Sequence, residues 1–417
     1  MRRLFSFVAP LLFLAAASAP AQVIDKNPEA KKEVLERISE VLTRNAFVPG
    51  IDFSKWPEFL KAEQPQIDKA DTDESFQRSI NTALRKFGAS HIQVSTPKSA
   101  TGRREAKTTG IGISAFPEKD SVLITYVFEG SPAALVGLQA GDRIVAVNGE
   151  KVSDGVKSVA GDEGTSVTIT VKKLDGEEQE ITVTRKKYST VRPEELRLLD
   201  EETAMLTVHT FDLTYNAERV ETLLKKVGTR KNLILDLRSN GGGAVYNLQH
   251  LLGCFLPADA EIGTFISRRV VEDYRKQTGN YGTNLTEIAK WAPRKVRVGR
   301  KPSIPRFTGN VAVLVNNGSG SASEIAAAAL RDLRSAPVVG SKTAGAVLVS
   351  VIAPVGEGFT LQYPLSDYVT IQGKRLEGEG VTPDHVVEMP PFRIPSVPDL
   401  AVSKAVDLLR ELALKRS

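Results

Sequence analysis

Residues 311–345 read VAVLVNNGSGSASEIAAAALRDLRSAPVVGSKTAG. The run Val311–Val315 is apolar at every position, as expected of a strand buried on both faces. A turn follows with serines at 319, 321 and 323, and 322–334 reads as an alanine-rich helix. APVVG at 336–340 reads as the next strand, which makes the segment an α/β unit. Ser321-x-x-Glu324 fits a capping box. A serine at a helix start also lies beside free N–H groups in a positive dipole field, a place suited to a nucleophile.

The α/β texture extends over about 190–395. LILDLR at 233–238 reads as a second buried strand, with a helix expected at 244–253 and a final amphipathic helix at 398–415. The stretch 286–305, rich in Lys and Arg and holding three prolines, reads as a loop or an exposed excursion. Upstream, 26–49 and 74–86 show helical spacing, and Gly88 supplies a stop before Ala89-Ser90-His91.

From about 108 short β-rich runs alternate with Gly, Pro and Asn-Gly turns. Gly110-Ile111-Gly112-Ile113, then Gly130-Ser131-Pro132-Ala133, Gly141-Asp142 and Val147-Asn148-Gly149 resemble a PDZ domain of the bacterial protease-associated kind. That resemblance implies that the loop Gly110, Ile111, Gly112 and Ile113 offers backbone N–H groups to a peptide carboxylate. The expected organisation is a signal peptide at 1–21, a helical segment at 22–105, a PDZ domain at 106–188, a core at 189–397 and a helix at 398–417.

The opening MRRLFSFVAPLLFLAAASAPAQ has two arginines, an apolar run and small-residue cleavage signals, so it reads as a secretory leader cut after Ala21. A periplasmic or secreted location is expected, with no stable membrane span after cleavage and a homo-oligomer left open. The net charge of +5 is scattered through mixed-sign segments such as KKLDGEEQE, with no basic stripe interleaved with aromatics, which argues against nucleic-acid binding. The single cysteine, Cys254, lies in the apolar context LLGCFL and reads as a buried residue. No metal or cofactor is expected.

Residues 311–345 resemble the catalytic region of the carboxy-terminal processing and tail-specific proteases. The family's Ser-x-Ser-x-Ser-Glu element places its nucleophile at Ser321. Leu235 to Gly243 resembles the family's glycine turn, and Gly380-Val381-Thr382-Pro383-Asp384 its closing motif. The resemblance implies an α/β core similar to the crotonase and ClpP folds, with an inserted PDZ domain and a helical N-terminal segment. One departure stands out: the family's lysine base follows the glycine of Thr343-Ala344-Gly345, where this chain has Ala346. Lys342 is close by but precedes the motif. The tricorn-core branch of the superfamily uses a histidine preceded by serine and a downstream glutamate, and the matching residues here are Ser90, His91 and Glu377.

The resemblance thus implies an exported serine endopeptidase acting on proteins or peptides, with Ser321 as nucleophile, His91 as general base, and Ser90 or Glu377 orienting the imidazole. The helix start makes the Ala322 N–H one oxyanion donor, and the glycine turn offers Gly241 or Gly242 as the second. The alternative is a non-catalytic protein on the same fold that captures peptides or apolar ligands, since the retinoid-binding proteins of the vertebrate retina resemble this core.

Overall fold

The computed structural model describes residues 27–152, 159–388 and 397–416. The leader expected at 1–21 lies outside the described residues, and no described helix is long and apolar enough to cross a membrane. A six-stranded sheet runs in the order Glu195–Leu198, Thr203–Thr207, Asn232–Asp236, Asn310–Val315, Val338–Gly340 and His385–Val386. The first pairing is antiparallel and the other four are parallel.

Alternate residues of the inner strands sort to two cores. Leu206, Leu235 and Val313 meet the helices Ala217–Val227, Val245–Gly253 and Ala322–Arg334. Ile234, Ala312 and Leu314 meet Ala401, Ala405 and Leu409 of the terminal helix Leu400–Arg416. Val311–Val315 is apolar throughout because helices cover both of its faces. The terminal helix is pinned by Arg238, which donates to Asp236 (2.6 Å) and to Asp399 (2.9 Å). Arg238→Ala would leave two largely buried carboxylates without their cation. It is expected to lower unfolding stability by about 3 kcal/mol, measured by urea titration.

A second, antiparallel sheet joins Gln93–Ser95, Val349–Pro354, Thr360–Thr370, Glu261–Ser267 and Val296–Arg297. The helices Pro28–Arg44, Trp56–Lys69 and Asp73–Arg85 pack on it, with Val34, Ile38, Trp56 and Phe76 sharing a core with Leu348, Phe359 and Leu361. Gly88, at φ +66°, carries the chain out of the last of these helices toward the cleft. The stretch 286–305 is more ordered than a loop. It contains the helix Leu285–Trp291 and the strand Val296–Arg297, with Ile288, Ala289, Val298 and Ile304 buried. Its frequent charges alternate with a few apolar anchors, and the anchors fix the fold.

Residues between Ile111 and Val183 enclose a separate core that includes Ile124, Ile144 and Ile169. The chain enters and leaves this unit through the paired strands Lys107–Gly110 and Lys186–Ser189.

Candidate active site

Ser321 stands between the strand Asn310–Val315 and the helix Ala322–Arg334 with φ +54° and ψ −117°, a backbone state uncommon for a residue with a side chain. Bonds on every side hold it there. Its N–H donates to Ala346 O (2.8 Å) and to Glu324 Oε2 (2.9 Å). The flanking serines stitch the turn to the glycine turn, Ser319 Oγ donating to Leu237 O (2.8 Å) and Ser323 Oγ to Asn240 O (2.7 Å).

Glu324 supplies the carboxylate arm of the expected capping box, and its reach is wider than a cap. The same buried carboxylate accepts from Thr343 Oγ1 (2.5 Å), Gly345 N (2.8 Å) and Ala346 N (3.0 Å). Burial pushes its carboxyl above the usual range, and these donors pull the other way. Glu324 therefore ties the loop 343–346 to the start of the serine's helix.

The glycine turn presses against the same point. Gly242, at φ +94°, has no room for a side chain: a Cβ there would lie 2.6 Å from Ser321 Cβ and 2.9 Å from Ala322 N. Its N–H already donates to Asn240 Oδ1 (3.0 Å), and its carbonyl accepts from Phe211 N (2.8 Å). Of the two glycines singled out as donors, Gly242 thus has its N–H engaged.

His91 also sits at positive φ (+54°), in the turn before the strand Gln93–Ser95. Its Nδ1 is 2.8 Å from Ser90 Oγ. Ser90 Oγ donates to Glu377 Oε2 (2.8 Å), and Ser90 N donates to Glu377 Oε1 (2.9 Å). Glu377 is buried and also accepts from Val347 N (2.8 Å). Of the two residues expected to orient the imidazole, Ser90 touches it and Glu377 stands behind Ser90. An ionised carboxylate only accepts, so the Ser90 hydroxyl points at Glu377 and Ser90 Oγ must accept from His91 Nδ1–H. The ring's Nε2 is then the unprotonated nitrogen. Burial holds the His91 pKa below the ordinary imidazole value, with the Glu377 charge opposing.

A cavity of about 790 Å³ brings these parts together, lined among others by His91, Gly241, Gly242, Ser321, Ala322 and Ala346. His91 is the one histidine on its wall. His250 is buried between Tyr215 Oη (2.7 Å) and Glu221 (3.0 Å), His209 is 3.5 Å from Glu195, and His385 lies in an outer strand. Lys342 is exposed and away from the cavity wall. Cys254 is buried, and its thiol is pushed up to about 12. Asn240, Thr343 and Val347 are the supporting residues that sequence reasoning missed. Asn240, next to the glycines, and Thr343, in the Thr343-Ala344-Gly345 motif, lay within a sequence signal, whereas Val347 carried none.

In the smaller unit, Gly112 packs so closely on Ser131 that a Cβ would lie 2.1 Å from the serine Cβ. Ile111 is buried, and its carbonyl accepts from Ala133 N (2.7 Å). Gly110 ends the entering strand, and Ile113 starts the strand Ile113–Pro117.

Residues 202–387 match the model of peptidase family S41, and residues 123–173 match a PDZ domain. A protein of Staphylococcus aureus (strain COL), described as "Probable CtpA-like serine protease", is 27% identical over 335 residues, covering 78% of this chain and 62% of the relative. Its namesake from Staphylococcus haemolyticus (strain JCSC1435) is 29% identical over 295 residues, 69% of this chain and 54% of the relative. The chain thus spans less than two thirds of the length of these relatives. Among solved structures, the photosystem II D1 C-terminal processing protease superposes at TM-score 0.50 and 19% identity, covering 90% of this chain and 96% of that one. Mature CPAF superposes at 0.54 and 14%, covering 92% and 97%. At these identities the superpositions speak for the fold. The matches to an S41 peptidase over 202–387 and to a PDZ domain over 123–173, with the serine turn and the glycine turn on one cavity, support the carboxy-terminal processing protease superfamily with a PDZ domain.

Proposed function

We propose that the protein is an exported serine endopeptidase that cleaves polypeptides through an acyl-enzyme on Ser321, with His91 as general base. The observation that carries this reading is the relay Glu377–Ser90–His91, which leaves His91 Nε2 as the proton acceptor on a wall shared with Ser321. As Ser321 Oγ attacks the carbonyl carbon of the scissile bond, Nε2 takes its proton. The imidazolium then protonates the departing amine, and the acyl group stays on Ser321. Water, deprotonated by the same nitrogen, attacks the ester and releases the new carboxylate. Glu377, acting through Ser90, favours the imidazolium that forms transiently. The Ala322 N–H is one donor for the oxyanion. With the Gly242 N–H held by Asn240, Gly241 is the donor assigned from the turn.

The leader-like opening supports export, and the PDZ unit is assigned to substrate C-termini or to control of access. The missing lysine at 346 is the main argument for a non-catalytic binding protein, and the Ser90–His91 pair backed by Glu377 is the main argument against it.

The reading is tested with fluorescent casein and a fluorophosphonate probe, using Ser321→Ala as background. Cleavage above that background together with labelling of Ser321 is expected. Neither signal between pH 5 and about 8 would overturn the reading. Lys342→Ala is expected to keep its rate within about twofold, because the side chain points to solvent away from the cavity.

The base works when neutral, and burial lowers its pKa. The acid limb of kcat/KM should therefore lie below the ordinary histidine value of about 6.5. Glu377→Gln removes the charge that raises the His91 pKa, so the limb should move to still lower pH, with kcat falling roughly 10- to 100-fold. A pH–rate profile of both proteins checks the sign.

A further inference from the structure

We infer that Glu221, His250 and Tyr215 form a second relay, behind the cleft, that fixes the place of the glycine turn, so that His250 and Tyr215 are positioning residues for the reaction at Ser321. This inference rests on the reading of Ser321 as a nucleophile and of the turn as its oxyanion donor. None of the three lines the cavity that holds Ser321 and His91. Their action on the chemistry therefore passes through other groups.

Glycines have no side chains to pack, so the turn lies where its neighbours hold its backbone. Phe211 is that neighbour: its N–H donates to Gly242 O (2.8 Å), and its carbonyl accepts from Ala244 N (2.8 Å) and Asn247 Nδ2 (2.8 Å). The fit has no slack, since a Cβ on Gly243 would lie 2.2 Å from Phe211 C and from Asp212 N. A shift of Phe211 is thus passed directly to 242–244. The Phe211 ring is fully buried and stacks on Tyr215, with centroids 5.8 Å apart and planes at 24°. Tyr215 Oη is 2.7 Å from His250 Nδ1, and His250 Nε2 is 3.0 Å from Glu221 Oε1. Ser303 N donates to the same carboxylate oxygen (2.9 Å), and Ser303 Oγ donates to the other. Burial raises the Glu221 carboxyl, but the Ser303 bonds and His250 outweigh it and hold the group below the usual range. Glu221 is therefore ionised and only accepts, so His250 donates through Nε2–H, and Nδ1 of the neutral ring accepts from the Tyr215 hydroxyl. Burial also pushes the Tyr215 phenol well above its ordinary value, which keeps it a donor.

These contacts close a ring around the turn. His250 sits on the helix Val245–Gly253 that leaves the turn, and Tyr215 follows the segment that holds it, so the bond between them crosslinks the two. Glu221, on the neighbouring helix Ala217–Val227, and Ser303 hold the crosslink from outside. Apolar side chains would pack these helices at least as stably, because burying a polar chain costs desolvation. A satisfied polar chain adds fixed lengths and directions instead, which is what a donor aimed at one oxygen atom requires.

The test uses a casein-derived peptide with a single cleaved bond and the peptide aldehyde that matches its acyl side. The aldehyde carbon bonds to Ser321 Oγ and its oxygen takes the place of the oxyanion, so its affinity reads the donors directly. Tyr215→Phe removes one oxygen atom and keeps the stacked ring. It should lower kcat about tenfold with KM within about twofold, and weaken the aldehyde by the same factor as kcat. His250→Ala should match it. His250→Asn, which keeps an acceptor near the Nδ1 position, should recover part of the loss, and only while Tyr215 has its hydroxyl. In a Gly242→Ala background, where the turn is already displaced, Tyr215→Phe should cost less than about twofold, whereas beside Glu377→Gln it should still cost about tenfold. Tyr215→Phe with wild-type kcat and aldehyde affinity but a lower urea midpoint would mean that the relay only braces the fold, and overturns the proposal. A full tenfold cost in the Gly242→Ala background overturns it too, since the effect would not pass through the turn. If His250→Ala does not fold, Tyr215→Phe and its two double variants decide. Wild type that neither cleaves the peptide nor labels with the fluorophosphonate overturns the peptidase reading instead.

Discussion

His91→Ala is expected to lower kcat/KM on casein by on the order of 10⁴- to 10⁶-fold, close to the Ser321→Ala background. A serine hydroxyl is a weak nucleophile until a base within reach takes its proton, and His91 is the one histidine on the cavity wall. Lys342 cannot take over, because it is exposed and off that wall. The loss should appear in kcat. Added imidazole should restore part of the rate in His91→Ala and none in Ser321→Ala, a difference that a folding defect would not produce. Because the native φ at 91 is +54°, His91→Asn is a useful second variant, asparagine being more tolerant of that conformation than alanine. More than a tenth of wild-type activity in both variants, with Lys342→Ala inactive, would transfer the base to the lysine.

The core was legible because its chemistry is local. A strand covered on both faces must be apolar at every position, and a serine ahead of an alanine-rich helix must sit at a helix start. The relay was legible only in part. Ser90 and Glu377 are 287 positions apart, and which of them touches the imidazole depends on how the N-terminal helices dock on the second sheet. The choice between Gly241 and Gly242 was hidden for a similar reason, since it turns on the Asn240 side chain folding back onto one amide.

Glu324 looked like a local cap, yet three of its four bonds go to a loop 19 to 22 positions downstream. Proline and polarity masked other elements. Pro65 lies inside the helix Trp56–Lys69, which the sequence reading passed over, and the charges of 286–305 concealed the few buried residues that order it. Each failure came from a tertiary contact overriding a local signal.

Gly242→Ala is expected to lower kcat by about 10²- to 10³-fold with little change in KM. The new Cβ would meet Ser321 Cβ at 2.6 Å, Gly320 O at 2.8 Å and Ala322 N at 2.9 Å. None of these is the end of a flexible side chain, so the contact is relieved only by moving backbone. The turn cannot easily retreat, because Asn240 Oδ1 and Phe211 N hold the Gly242 peptide groups on both sides, and φ +94° is itself unfavourable for alanine. The serine side must yield, and it carries the proposed nucleophile and the proposed Ala322 donor on adjacent residues. One methyl group therefore displaces both from the reacting carbonyl, while the remainder of the cleft still binds substrate. Unfolding stability should fall by about 1–3 kcal/mol, read from urea titration beside steady-state kinetics. Gly241→Ala is the internal comparison: its Cβ meets nothing within 4 Å and its N–H is kept, so its kcat should fall less than about tenfold. Equal losses in the two variants would mean that the turn acts through flexibility, and a larger loss at 242 would mean that it acts through the fixed distance between the glycine and Ser321.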